Sequence, residues 1–489
     1  MKNILMAILL LAVVFAFFSC QTGDGDAKKD DTATTAAQGG DGEDKPAEIP
    51  DNLPEMDYGG YNFRIFIRDS TGRNKDFVAE EENGDTMNDV VYRRNRAVAD
   101  RFGAEFSFIL TNDDPGGPAR TAILSGDDAF DLIAMHGAHS FQFSKAGLVM
   151  DWLTDMPYVD FGKPWWNDDI TNGFAAFGRL YNVTGDLSYL SFGSVMCLLF
   201  NKQLFKELSL DYPYPAVEAG DWTLDRFTQI IKSGSSDLNG DGAMKPDEDR
   251  YGLYMANEWG YPIAILYCGG DRVIALDEDK IPYLSLYNER TVDLFDRLFD
   301  MLASESACLG KGVLDIKRYP IAQTDVFKNS RALFLAATIE SIVSARDMED
   351  DIGILPLPKY EKSTPKYYSP LEGGVNLFIV PITSTDLERT SVIVEALSAE
   401  GHKKIMPEYY ERALKGKFIR DDESADMLDH IKSGIVYDYG YFNITLAGDE
   451  LAQTGPRLLA SSSANFTSFY ESKERAASAN IAKMIAEME

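Results

Sequence analysis

The stretch Phe130–Trp152, FDLIAMHGAHSFQFSKAGLVMDW, decides how this chain is read. Asp131 to Met135 is a short apolar run of strand character. It breaks at His136-Gly137-Ala138-His139 and continues into a helical stretch. Upstream, Tyr61–Arg68 (YNFRIFIR) alternates and is β-branched and aromatic, which predicts a strand. Asn88 to Phe102 puts Val91, Val98 and Phe102 at helical spacing, and Glu105 to Leu110 predicts a second strand. Strand–helix–strand alternation predicts a mostly parallel α/β sheet. Ligands bind such sheets beyond the carboxyl ends of the strands. The loop from His136 to Phe143 is therefore a site candidate on topology alone.

Downstream the logic repeats. Val195 to Phe200, Tyr251 to Ala256, Ala332 to Ala336, Ile352 to Leu355 and Leu377 to Val380 predict strands. Asn201 to Leu208, Leu224 to Lys232 behind Thr223, Glu289 to Ser304 and Leu387 to Ala399 predict helices. From Glu408 on the chain reads as largely helical. No repeat at solenoid periods is present.

The N-terminus speaks to compartment. Ile4 to Phe18 is an unbroken apolar run behind Lys2. As a helix it spans roughly 22 Å, short of a hydrocarbon core of about 30 Å, so residues 1–19 read as a signal peptide. Ser19-Cys20 resembles a bacterial lipobox, which makes Cys20 the expected lipidation site, with palmitate among the acyl groups. A plain secretory signal with an incidental cysteine is the alternative. Gln21 to Pro50 has no aromatic residue, and Ile49 is its one aliphatic residue beyond alanine. Such a segment cannot bury enough surface to offset its ordering entropy, so residues 20–53 are expected to act as a leash.

Composition bounds the partners. With 47 Lys+Arg against 78 Asp+Glu the net charge is −31. That excludes a concentrated phosphate-binding surface, hence no nucleic acid, and argues against docking on anionic lipid. The 489 residues are ample for a large core without disulfide staples. Three cysteines follow Cys20. Cys197 reads as a buried small hydrophobe, and a Cys268–Cys308 bridge is open but disfavoured.

The order and spacing of several motifs carry a family resemblance. These are the lipobox and leash, Phe130–Trp152, VMCLLFNKQLFKELSLDYP at Val195–Pro213, GDWTLDRF at Gly220–Phe227, RALFLAATIES at Arg331–Ser341, DIGILPLPKY at Asp351–Tyr360 and GGVNLFIVPITS at Gly373–Ser384. Together they resemble the sugar-type extracellular solute-binding lipoproteins of bacterial ABC importers. The resemblance implies a two-lobed α/β fold with a ligand cleft between lobes. One lobe would comprise 54–178 plus 367–400, the other 179–366 plus 401–489. It implies a monomer on the outer face of the cell membrane, held by its lipid anchor, that closes on a sugar or oligosaccharide and delivers it to permease subunits.

A sugar needs aromatic platforms and polar partners for its hydroxyls. The resemblance places His136, His139 and Gln142 after the Ile133 strand, and Asp186 and Tyr189 near a crossover. It places Asn257, Glu258 and Trp259 after the Tyr251 strand, with Trp259 the best single platform, and Tyr368 and Glu372 at a later crossover. Trp152 and Trp222 read as core, and Trp165 and Trp166 as packing at the lobe junction. The run from Asp237 fits D-x-N-x-D-G-x5-E, a calcium-loop pattern. Its ligands would be Asp237, Asn239, Asp241, the Ala243 carbonyl and Glu248, with Asp249 as the alternative last ligand. A solvated acidic turn is the competing reading. No G-x-S-x-G, H-E-x-x-H, Walker A or C-x-x-C occurs, so the chain is read as a non-enzyme. A secreted carbohydrate-active hydrolase and a carbohydrate sensor or adhesin are the alternatives.

Overall fold

The computed structural model describes residues 49–69, 72–112, 116–256, 261–310, 323–345, 348–410, 422–461 and 463–488. The predicted signal peptide, Cys20 and most of the leash lie outside these residues. Asp51–Glu489 forms one compact unit. Among the described residues no helix is long and apolar enough to cross a membrane.

The strands in chain order are β1 (Tyr61–Arg68), β2 (Ala104–Thr111), β3 (Leu132–His136), β4 (Met196–Asn201), β5 (Tyr251–Ala256), β6 (Ile274–Leu276), β7 (Pro282–Leu284), β8 (Ala307–Gly310), β9 (Ala332–Thr338), β10 (Ile352–Leu355), β11 (Ser369–Pro370), β12 (Asn376–Ile379) and β13 (Ile435–Val436). Four make a first sheet in the order β12-β3-β1-β2, and five make a second in the order β10-β4-β9-β5-β8. Small pairs β11-β13 and β6-β7 complete the set. β1 runs parallel to β2 and β3, with Ile65 opposite Leu132 and Phe108.

The alternation along β1 explains why helices cover both faces of the first sheet. Phe63, Ile65 and Ile67 share one buried cluster with Val91, Val98 and Phe102, whereas Phe66 belongs to another with Ile123, Ile133 and Phe143. The helix Thr86–Phe102 starts two residues before its predicted end because Asp85 caps it. The Asp85 carboxylate accepts from the Met87 and Asn88 N–H groups. Gly103, at φ 58, stops the helix in the left-handed conformation that glycine adopts without strain.

The parallel pairs β1-β2, β1-β3, β5-β8 and β5-β9 carry the expected α/β sheets, and three antiparallel pairs make those sheets mixed. β12 is antiparallel to β3, and β4 is antiparallel to both β9 and β10. The cause is the route of the chain. β4 and β12 are each entered from the junction between sheets and run away from it, while β1, β3, β5 and β9 run toward it. The two crossings lie side by side. Val183 bridges Phe378 and Val195 bridges Leu371, both antiparallel.

Buried polar groups pin the first crossing. Arg94 is fully buried, and its Nη1 donates to the Leu187 carbonyl at 3.0 Å. Asp76 accepts from the Leu190 N–H at 3.2 Å and from the Ser188 hydroxyl. Burial pushes the Asp76 carboxyl up to about 6. The Trp165 and Trp166 indoles donate to the two oxygens of buried Glu395 at 2.8 and 2.9 Å. Both side chains are buried and pack instead of offering an open platform. Trp152 and Trp222 are buried as expected, with indoles on the Tyr181 and Pro356 carbonyls. Cys197, Cys268 and Cys308 are all buried free thiols, so the disfavoured Cys268–Cys308 bridge is absent.

Candidate functional site at the strand-end junction

β1 of the first sheet and β9 of the second end at the junction, and the segments after them meet. The loop after β1 carries Arg73, which is 8% exposed. Its Nη2 donates to Glu340 Oε1 at 2.8 Å, and Nη1 to Ser194 Oγ at 2.9 Å and to Glu340 Oε2 at 3.2 Å. Glu340 follows β9 and Ser194 precedes β4. One guanidinium thus ties the first sheet's loop to two segments of the second. Asn376, at the start of β12, holds the Arg73 carbonyl at 2.9 Å. Nearby, Arg68 Nη2 donates to the Gly374 carbonyl, and Glu372 accepts from the Gly374 N–H at 2.6 Å. Burial raises the Glu372 carboxyl above its ordinary range, against the lowering effect of that N–H and of Arg73.

The His136 loop closes one side. His136 caps the helix Gly137–Lys145 with Nδ1 accepting from the Ala138 N–H at 3.2 Å, and its ring lies 4.8 Å from that of His139. Gly137 is required by crowding. A Cβ there would sit 2.5 Å from the Phe442 ring and 3.3 Å from the Gly373 carbonyl. Both histidines are half-buried and Gln142 is exposed.

The structure brings Glu372 into the Arg73 cluster and pairs His136 with His139. It turns other predicted ligands elsewhere. Tyr189 is 6% exposed, its ring 4.9 Å from that of Tyr409, so its body belongs to the core. Burial raises its phenol well above the usual range. Asp186 bonds His402 Nδ1 at 2.6 Å. Tyr368 sits between two cations, 5.5 Å from the Arg272 guanidinium and 5.6 Å from the Lys366 ammonium. Asn257, Glu258 and Trp259 lie outside the described residues. Arg73, Glu340 and Ser194 were not among the residues expected at the site. Nothing in the local pattern of DSTGRNKDF or ATIES marks either partner. Arg73, Glu340 and Glu372 offer a partly buried set of donors and acceptors of both signs, which suits a neutral polyhydroxyl ligand.

The Asp237 loop is tightly self-bonded. Asp237 accepts from the Gly240 and Gly242 N–H groups at 2.7 and 2.8 Å, and Asp241 from the Ala243 N–H at 2.9 Å. Asn239 Nδ2 donates to Glu248 at 2.8 Å. The Lys245 ammonium lies between Glu248 at 2.7 Å and Asp241 at 3.0 Å, which lowers the Asp241 pKa. Both oxygens of Asp249 are taken, by the Leu238 and Lys245 N–H groups at 2.8 Å. Among the described residues no three His, Cys, Asp or Glu side chains converge as a metal site.

No protein-family model matches this chain, and no curated protein matches it. Its fold is that of the two-lobed solute-binding proteins of ABC transporters. The cyclic alpha-maltosyl-1,6-maltose binding protein of Arthrobacter globiformis is 14% identical, with 86% of this chain and 99% of that one covered at a TM-score of 0.57. UgpB of Mycobacterium tuberculosis, in complex with glycerophosphocholine, is 13% identical over 87% of this chain and 99% of that one, at 0.56. The maltose/maltodextrin-binding domain MalE of Bdellovibrio bacteriovorus, bound to maltotriose, is 14% identical over 87% and 100%, at 0.54. The first and third of these are named as a binding protein and a binding domain.

Proposed function

We propose that this protein is the extracytoplasmic receptor of an ABC importer and captures a neutral sugar or oligosaccharide at the strand-end junction. The observation that carries this reading is the Arg73 guanidinium, shared between Glu340 and Ser194 across the two sheets. A ligand's hydroxyls would exchange with these partners as the lobes close on it. Closure is favoured only by the ligand's greater affinity for the closed state. Lipidated Cys20 and the leash after it would tether the receptor at the outer face of the membrane, within reach of two permease subunits. Thermal-shift screening against a glycan panel tests the ligand class. Stabilisation without product release supports a receptor, and turnover of the glycan overturns it. Replacing Cys20 with alanine should move the protein from the membrane to the soluble fraction.

A calcium ion at Asp237, Asn239, Asp241, Ala243 and Glu248 belongs to the same proposal, as a brace for a surface loop. In the present arrangement the Lys245 ammonium neutralises Asp241 and Glu248. Calcium must displace it, so the lysine acts as a built-in competitor. Calorimetric titration with calcium tests this, and no binding below millimolar concentration overturns it.

A further inference from the structure

A cavity of about 350 Å³ shares no residue with the Arg73 cluster. Its walls come from the helix Gly137–Lys145, the segment 174–182, the stretch 439–446 and the last turns of the helix Phe466–Met488. The body of the cavity is aromatic. Phe141 meets Phe174 edge-on at 5.2 Å and Tyr439 at 5.5 Å, and Phe177 and Tyr181 line the same space.

Three further observations mark it as a built site rather than a packing gap. Asn182 is 3% exposed and lines the cavity. Its Nδ2 donates to Ser144 Oγ at 2.9 Å, but its Oδ1 has no hydrogen-bond partner among the described residues. A buried acceptor left unmade is costly, and a ligand hydroxyl is the group that completes it after a small side-chain adjustment. Phe177 is held at φ 55, a left-handed conformation that is strained for an aromatic residue and that accumulates at ligand clamps. The charge at the cavity is also opposite to that of the chain. Lys145, Arg179 and Lys483 stand against the single acid Glu487, in a protein of net charge −31. Lys483 has Glu487 at 3.7 Å, whereas Lys145 and Arg179 have no carboxylate within ion-pair distance among the described residues. Arg179 Nη1 donates to the Tyr181 hydroxyl at 3.2 Å, and together with Lys145 it places positive charge at the rim of an aromatic pocket, which attracts an anion whose apolar part fills the interior.

We propose that this cavity is a second ligand site, independent of the strand-end junction, for a small aromatic carboxylate bearing a hydroxyl group. The ring packs among Phe141, Phe174 and Tyr439, the hydroxyl reaches Asn182, and the carboxylate lies at Lys145 and Arg179. The probe is 4-hydroxyphenylacetate, with 4-hydroxyphenylacetamide as its neutral twin. Both are titrated calorimetrically into the full-length mature chain, into Lys145→Ala/Arg179→Ala and into Arg73→Ala. Lys145 and Arg179 are exposed, so the double variant should keep the wild-type melting temperature. The acid should bind at least tenfold more tightly than the amide. The double variant should erase that preference, and Arg73→Ala should leave it intact. Equal binding of acid and amide, absence of binding by both, or a preference that survives the double variant overturns the proposal. Loss of the preference in Arg73→Ala would mean that the probe occupies the junction instead. Since sugar binding is not read in these titrations, failure of the proposed function leaves their outcome unaffected.

Discussion

Replacing Glu395 with glutamine should flatten the dependence of folding stability on pH. Glu395 is fully buried on the helix Leu387–Glu400 and receives both the Trp165 and Trp166 indoles. Burial raises its carboxyl from 4.5 to about 7, although the two indole N–H donors work the other way. The folded state therefore holds this proton more tightly than the unfolded chain does. The contribution to stability is complete below pH 4.5 and is lost as pH rises through 7. A rise of that size corresponds to about 3 kcal/mol in full, of which about 2 kcal/mol falls between pH 5.5 and 8.5. Glutamine accepts from one indole and leaves the other unpaired, at a cost of about 1–3 kcal/mol that does not vary with pH. The comparison is thus between slopes and not between absolute stabilities. Urea unfolding of both proteins at pH 5.5 and 8.5 gives the two slopes. The wild type should lose about 2 kcal/mol more than the variant across this interval. Asp76, raised to about 6, adds the same trend to both proteins and cancels. Parallel profiles would refute the assignment of the raised carboxyl to Glu395.

Other expectations follow from contacts at the junction and in the acidic loop. Arg73→Ala should weaken carbohydrate binding at least tenfold, about 1.4 kcal/mol, by calorimetry, and unchanged affinity would remove Arg73 from the site. Trp259→Ala should weaken binding strongly while leaving the melting temperature of the ligand-free protein nearly unchanged. Gly137→Ala drives a methyl to 2.5 Å from the Phe442 ring and should cost about 1–3 kcal/mol in urea unfolding. An unchanged midpoint would place Phe442 elsewhere. Lys245→Ala frees Asp241 and Glu248 and should tighten calcium binding in titration. Weaker binding would show that the lysine does not compete.

What the sequence made legible was local. β1 could be read from the alternation of YNFRIFIR, and the helix Leu224–Gly234 from Thr223 ahead of its apolar face, because these signals lie within a few residues. The antiparallel course of β4 could not be read, since an apolar run such as MCLLFN carries no direction. Direction is set by where the crossing from the first sheet delivers the chain. The Arg73–Glu340 contact was invisible for a related reason. Its partners are 267 positions apart, and only the folded junction brings them together. Tyr189 shows the reverse error. It stands near a crossover, as a ligand residue would, but the Tyr409 ring covers it. Glu372 could be placed at a crossing because GGVNLFIVPITS locates the strand that follows it.

The most direct test of the account is a thermal-shift titration of the mature protein with neutral oligosaccharides, with the glycan analysed afterward for cleavage. A sugar receptor with Arg73 in its site gives a saturable rise in melting temperature for one glycan class, recovered intact, and a smaller rise in Arg73→Ala. Failure of every neutral glycan to shift the transition, or recovery of the stabilising glycan in cleaved form, would contradict it.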